Sequence, residues 1–175
     1  MVKAIMDLHG SVQNFLVNSY GVGIVRNMGP MGYLDCCKFL KIDLTDLSKK
    51  NPSQYPQFLN HQTKKLLRYM PTNARHWGAA RKCLNLFFRD ALYSFYLREK
   101  YGLGKFEKYQ EIALDSNVGR RFREEKEGEG LPLWRTVISL TPEVSAQFQK
   151  VATKVAKRER TARVHLDVHY WRGGQ

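Results

Sequence analysis

Leu84, Phe87, Phe88, Ala91, Leu92, Phe95 and Tyr96 recur at alternating spacings of three and four residues. On a helix this pattern draws one continuous apolar stripe, which has to be buried against neighbouring elements. The segment therefore predicts the central helix of a helical domain. Tyr101-Gly102-Leu103-Gly104 ends it, because glycine readily adopts the left-handed conformation that closes a helix. An aromatic-rich stripe at this spacing is read as core.

The rest of the chain supplies further helices to pack on that beam. Ile5, Leu8, Val12, Phe15 and Leu16 share one face of a helix over residues 1–20, and a short helix is expected through Tyr33 to Lys41. Gln57 to Tyr69 reads as another, with Phe58, Leu59, Leu66 and Leu67 inward, and Met70-Pro71-Thr72-Asn73 stops it. Asp115 or Ser116 caps a helix that runs through Arg123 or beyond. Thr141-Pro142-Glu143 combines a capping hydroxyl, a proline at the first helical position and an acid at the positive dipole end. The helix it starts is expected to reach about Arg160 and to bury Val144, Phe148, Val151 and Val155. Arg163 to Trp171 alternates like a strand but also suits a helix; with no strand to pair with, the helix is preferred. No segment repeats and no long linker interrupts the chain. The expected architecture is all-α, a single helical domain over residues 1–175.

Charge narrows the partner. Twenty-nine Lys and Arg against 16 Asp and Glu give a net +13. Such an excess favours a polyanion, nucleic acid before an anionic membrane surface. Hydrophobic residues make up 43% of the chain, enough for a core. Cys36, Cys37 and Cys83 form no disulfide framework, and no C-x-x-C supports a zinc or iron–sulfur site. Met1 to Tyr20 is broken by Asp7, His9 and Asn14, so neither a signal peptide nor a membrane span is expected. Composition and thiol usage point to the cytoplasm, the nucleoid or the nucleus.

Two short segments carry chemistry. A helix ending near Tyr69, a tight connection through Trp77-Gly78 and a new helix from Ala79 make a helical hairpin. The first amides of the second helix lack intrahelical partners and can hold a phosphate without reading sequence. Gly78 is expected to allow the turn, with Arg75, Arg81 and Lys82 adding charge. Further along, Leu114-Asp115-Ser116-Asn117-Val118 puts an acid at the start of another helix.

A lysine at one helix start followed by an aspartate at the next resembles the helix-hairpin-helix DNA glycosylases. The pattern is nearest to the endonuclease III-like and archaeal 8-oxoguanine glycosylase/lyases. Their hairpin reads Leu-Pro-Gly-Val-Gly-x-Lys-Thr-Ala. Here His76-Trp77-Gly78-Ala79-Ala80-Arg81-Lys82-Cys83-Leu84 aligns the first Gly and the Lys, with His76-Trp77 for Leu-Pro and Ala80 for the second Gly. The family's Val-Asp-Thr-His-Val is similar to Leu114 to Val118. The resemblance spans roughly Leu66 to Arg123, with the hairpin and catalytic region at about 57–127. The stretch between Lys82 and Asp115 is longer than in compact members, as in the archaeal enzymes. The resemblance implies a glycosylase/lyase acting on double-stranded DNA as a monomer, with catalytic Lys82 and Asp115 and no metal or cofactor. DNA contacts would come from Arg75, Trp77, Gly78, Ala80, Arg81 and Arg120. Neither motif names the damaged base.

Plainer readings stand beside these. Lys82 alone is a surface lysine, and Asp115 alone is an N-cap. Most of Trp77, Trp134 and Trp171 belong to the core. Arg120, Arg121 and Arg123 precede Glu124, Glu125 and Glu127, which suits a solvated, salt-paired face. A non-catalytic hairpin module binding DNA or RNA is the first alternative. The second is a metal-dependent nuclease: on a strand, His165, Asp167 and His169 share one face and make a metal triad, whereas on a helix they splay apart.

Overall fold

A computed structural model of the chain describes Ser11, Val12 and residues 44–172. The expected helices over residues 1–20 and 33–41, with Cys36 and Cys37, lie outside the described residues, save that Ser11 and Val12 are helical. Among the described residues the chain is helical and contains no strand. None of these helices is long and apolar enough to cross a membrane.

The principal elements are α1 (Thr45–Ser48), α2 (Tyr55–Tyr69), α3 (Trp77–Tyr93), α4 (Phe95–Tyr101), α5 (Ser116–Glu124), α6 (Pro142–Arg158) and α7 (Leu166–Arg172), joined by short 3₁₀ turns. Tyr55, Phe58, Leu59, Gln62, Thr63 and Leu66 line the buried face of α2, a three-four stripe. Its last turn stops where Met70 turns extended before Pro71. α2 and α3 are consecutive and packed together.

α3 starts at Trp77, two residues earlier than expected, after a 3₁₀ turn over Thr72–Ala74 and a His76 cap. Gly78 is thus inside the first helical turn and does not make the connection. Its lack of a side chain serves close packing: a Cβ there would lie 2.2 Å from the Val137 carbonyl oxygen and 2.7 Å from Leu140 Cβ.

The apolar stripe also ends earlier than its spacing predicts. Ser94 is extended, and its hydroxyl accepts from the Leu97 amide to open α4. That break resets the helical phase. α4 buries Leu97 and Tyr101, and Phe95 is left 71% exposed and Tyr96 46% exposed. Gly102, at φ 58°, closes α4 in the left-handed conformation that glycine tolerates best.

Two apolar clusters result. The first joins α1, α2, α4 and the apolar face of α3, with Phe87, Phe88, Tyr55 and Phe106 fully buried within it. The second gathers Ile112, Leu114, α5, α6, Trp134 and Leu166. α6 begins as expected, the Thr141 hydroxyl accepting from the Val144 amide, and ends at Arg158. The final segment forms a 3₁₀ turn over Arg163–His165 and then α7, so the helical reading holds. Trp134 is core. Trp77 is half-buried, packed on the second cluster with the Arg81 guanidinium 5.5 Å from its ring centre.

Candidate active site

α3 is two-sided. Its apolar positions face the first cluster, while Arg81, Lys82, Asn85 and Arg89 form a polar ridge whose partners include Glu111, Asp115, the Ile112 carbonyl and Asp167. Opposite that ridge runs the extended segment Gln110–Asp115. It has no sheet partner, and a buried backbone needs its polar groups satisfied. Side chains do this. Gln149 on α6 accepts from the Ile112 amide at 3.2 Å and donates to the Ile112 carbonyl at 2.8 Å. Arg163 donates to the carbonyls of Gln110 and Tyr109 at 2.7 and 2.8 Å. The Arg81 guanidinium grips the Glu111 carboxylate in a two-pronged bond at 2.8 and 2.7 Å, and Asn85 adds a third contact at 3.2 Å. Burial pushes Glu111 up, but the Arg81 bonds and charge outweigh it and hold the carboxyl below its ordinary value.

This clamp delivers Asp115 to α3. Asp115 is extended and caps α5, one carboxylate oxygen accepting from the Val118 amide at 2.9 Å. The other oxygen accepts from Lys82 Nζ at 3.1 Å. The two side chains are 22% and 21% exposed, so the pair sits at the mouth of the seam and is reachable from solvent. Two turns further along α3, Arg89 is bonded to Asp90 and to Asp167 from α7. Asp167 is 3% exposed. Burial pushes its carboxyl above its ordinary value; Arg89 opposes this, Asp115 adds to it and Lys82 opposes it. The seam thus holds an ammonium, a guanidinium and two carboxylates on one side of one helix. A carboxylate fixed by a backbone amide is suited to stabilising a cation beside it. A lysine at the same spot becomes a nucleophile once it sheds its proton.

Lys82 and Asp115 are therefore brought together, and the proposed DNA contacts are not grouped around them as a set. Arg81 is buried at 5% exposure, bonded to Glu111, Asn60 and Thr63, so its guanidinium is engaged inside the protein. Ala80 is fully buried, and its amide donates back to the His76 carbonyl at 3.1 Å. Gly78 is buried beneath Val137 and Leu140. Both phosphate-facing roles expected of this turn are thereby sterically covered. Arg75 is exposed but donates to the Met70 carbonyl, closing the end of α2. Arg120 is exposed on α5. Arg121 pairs with Glu124 as expected, whereas Glu125 and Glu127 take Arg158 from α6.

The metal-triad alternative loses its premise, because the strand it needs is a helix. His165 bonds Glu107 at 3.0 Å and the Tyr93 hydroxyl at 2.9 Å. Asp167 turns to Arg89. His169 lines a separate cleft of about 320 Å³ with Arg121, Glu124, Glu125 and Tyr170. Among the described residues no three His, Cys, Asp or Glu side chains are grouped to hold a metal. Glu111, Asn85 and Gln149 have no motif to announce them. Arg89 has one faint signal, its two-turn spacing from Lys82.

No protein-family model, curated protein or solved structure matches this chain.

Proposed function

We propose that this protein is a DNA repair glycosylase/lyase that extrudes and excises a damaged base. The carrying observation is the 3.1 Å contact between Lys82 Nζ and the helix-capping Asp115 carboxylate. The net charge of +13 suits a duplex partner and predicts salt-sensitive binding.

The chemistry follows from these two side chains. A nucleotide swung out of the stack presents its sugar at the seam. As the glycosidic bond breaks, its electron pair leaves with the base, which takes up a proton, and positive charge develops on the sugar. Asp115 stabilises that charge. Lys82 passes its ammonium proton to the departing base or to water, and its lone pair then bonds the anomeric carbon. Ring opening gives an iminium. Loss of the neighbouring C2′ proton then expels the 3′ phosphate and cuts the strand.

The net charge of +13 supports one further reading, a basic nucleic-acid-binding module without chemistry. Borohydride trapping on duplex DNA with an abasic site separates the two. A covalent complex with the wild type and none with Lys82→Ala is expected. Failure of the wild type to trap, despite salt-sensitive binding, rejects the enzyme and leaves the binding module.

A further inference from the structure

Three polar side chains from three elements meet at the far end of α3. Tyr93 closes α3, Glu107 lies in the 3₁₀ turn Leu103–Tyr109, and His165 ends the 3₁₀ turn Arg163–His165. Tyr93 stands eleven residues beyond Lys82, about 16 Å along the helix axis, so this group is separate from the Lys82–Asp115 pair. The Tyr93 hydroxyl lies 2.9 Å from His165 Nδ1, and His165 Nε2 lies 3.0 Å from one oxygen of Glu107. Arg98 donates to the other Glu107 oxygen at 3.1 Å. The His165 bond, helped by Arg98 and opposed by burial, holds the Glu107 carboxyl below its ordinary value, so the carboxylate can only accept. His165 Nε2 therefore carries a hydrogen toward Glu107. In the neutral imidazole this leaves a lone pair on Nδ1, and the Tyr93 hydroxyl donates to it. Burial keeps the phenol proton in place; Arg89 opposes this, while Asp167, Asp90 and Glu107 add to it. The oxygen thus becomes a nucleophile only through a base, and Nδ1 is the base at hand. The group is also open to solvent, with Tyr93 44% exposed. Beside it, Phe95 and Tyr96 are turned outward by the break at Ser94, their ring centres 5.7 Å apart. Exposed rings on a chain of net charge +13 suit unpaired bases, which stack on aromatic faces while cations attract the backbone. Arg89, one turn before Tyr93, brings positive charge to the hydroxyl.

We propose that Tyr93, His165 and Glu107 form a second catalytic site, in which the Tyr93 hydroxyl attacks a phosphodiester of single-stranded DNA whose bases stack on Phe95 and Tyr96. The Tyr93 oxygen bonds phosphorus as its proton passes to His165 Nδ1. The bond from phosphorus to one deoxyribose oxygen breaks, the electron pair leaves with that oxygen, and His165 hands it the proton. The products are DNA joined to Tyr93 and a free hydroxyl end. One phosphodiester is exchanged for another, so no further reactant is consumed. Glu107 is a positioning residue that holds the imidazole without touching substrate. These steps make no use of Lys82 or Asp115.

The test incubates the full chain with a single-stranded DNA oligonucleotide labelled at either end, without borohydride, and resolves the products under denaturing conditions. A covalent adduct is expected with the wild type and with Lys82→Ala. None is expected with Tyr93→Phe, which keeps the ring against His165 and removes only the oxygen. Peptide mapping is expected to place the adduct on Tyr93. His165→Ala is expected to form it about a hundredfold more slowly, with recovery when imidazole is added to the buffer. Glu107→Gln is expected to slow it about tenfold, with partial recovery in Glu107→Asp. No adduct with the wild type, or an undiminished one with Tyr93→Phe, overturns the proposal. An adduct lost in Lys82→Ala and kept in Tyr93→Phe belongs to the lysine and overturns it equally. Wild-type rates in His165→Ala or Glu107→Gln remove that residue from the site. Because borohydride is absent and Lys82 is dispensable here, failure of this site and failure of the lysine chemistry are read separately.

Discussion

The Nζ of Lys82 lies 3.1 Å from one oxygen of Asp115, 33 residues away in the chain, while the other oxygen of that carboxylate receives the Val118 amide at 2.9 Å. One side chain thus caps a helix and holds a lysine. The cap fixes the carboxylate against α5, and the lysine ties α5 to α3 across the seam.

These two duties separate on substitution. Asn caps a helix about as well as Asp, so Asp115→Asn is expected to leave thermal stability within about 0.5 kcal/mol of the wild type while slowing base release strongly. Asp115→Ala also loses the cap and is expected to cost about 1 kcal/mol. Single-turnover excision alongside thermal melts reads both. Normal base release by Asp115→Asn would remove Asp115 from the chemistry.

Arg81 belongs to the clamp on the extended segment. Arg81→Met strands the Glu111 carboxylate in the interior and is expected to destabilise the fold by about 3–5 kcal/mol. The salt dependence of duplex binding is expected to stay the same, because this guanidinium faces inward. A shallower salt slope with unchanged stability would return Arg81 to the DNA-binding surface.

The same clamp sets a pH dependence. The folded Glu111 lies below its ordinary 4.5. Its contribution to stability is therefore present above about pH 4.5 and is lost as pH falls through the folded value. Asp167 acts in the opposite sense. Its folded value lies above the ordinary 3.8, so the native state gains protons there and stability falls as pH rises through that window. Urea midpoints between about pH 7 and pH 3 are expected to fall less steeply on the acid side in Glu111→Gln than in the wild type. Parallel curves would mean that Glu111 does not contribute.

Gly78 is expected to tolerate no side chain. Alanine is the better helix former by about 1 kcal/mol, but its methyl would collide with the backbone oxygen of Val137, which cannot swing away. Gly78→Ala is expected to lose about 1–3 kcal/mol net, a fall of several degrees in Tm. A raised Tm would show that Val137–Leu140 does not press on α3.

How much of this was legible without coordinates depends on the range of the interaction involved. Local rules sufficed for the helices. Three-four spacing marks α2 and α3, Thr141 and Pro142 open α6, and Gly102 closes α4, because caps and amphipathic faces are written within a turn or two of chain. Lys82 and Asp115 were legible as two helix-start residues. Their contact was not, since it depends on where Gln110–Asp115 runs, and that path is set by Arg81, Asn85, Gln149 and Arg163 from three separate stretches. Periodicity also overran its range at Ser94, where one extended residue reset the phase and turned Phe95 outward. Gly78 looked like a turn because a glycine's backbone freedom is visible in sequence, whereas the Val137 carbonyl that crowds it is 59 residues further along the chain. The sequence by itself determined that the chain is helical, where α5 and α6 begin and which face of α2 is apolar. Only the tertiary structure decided which charges meet, because a buried ion pair is specified by the packing of distant elements and leaves no periodic trace in either of them.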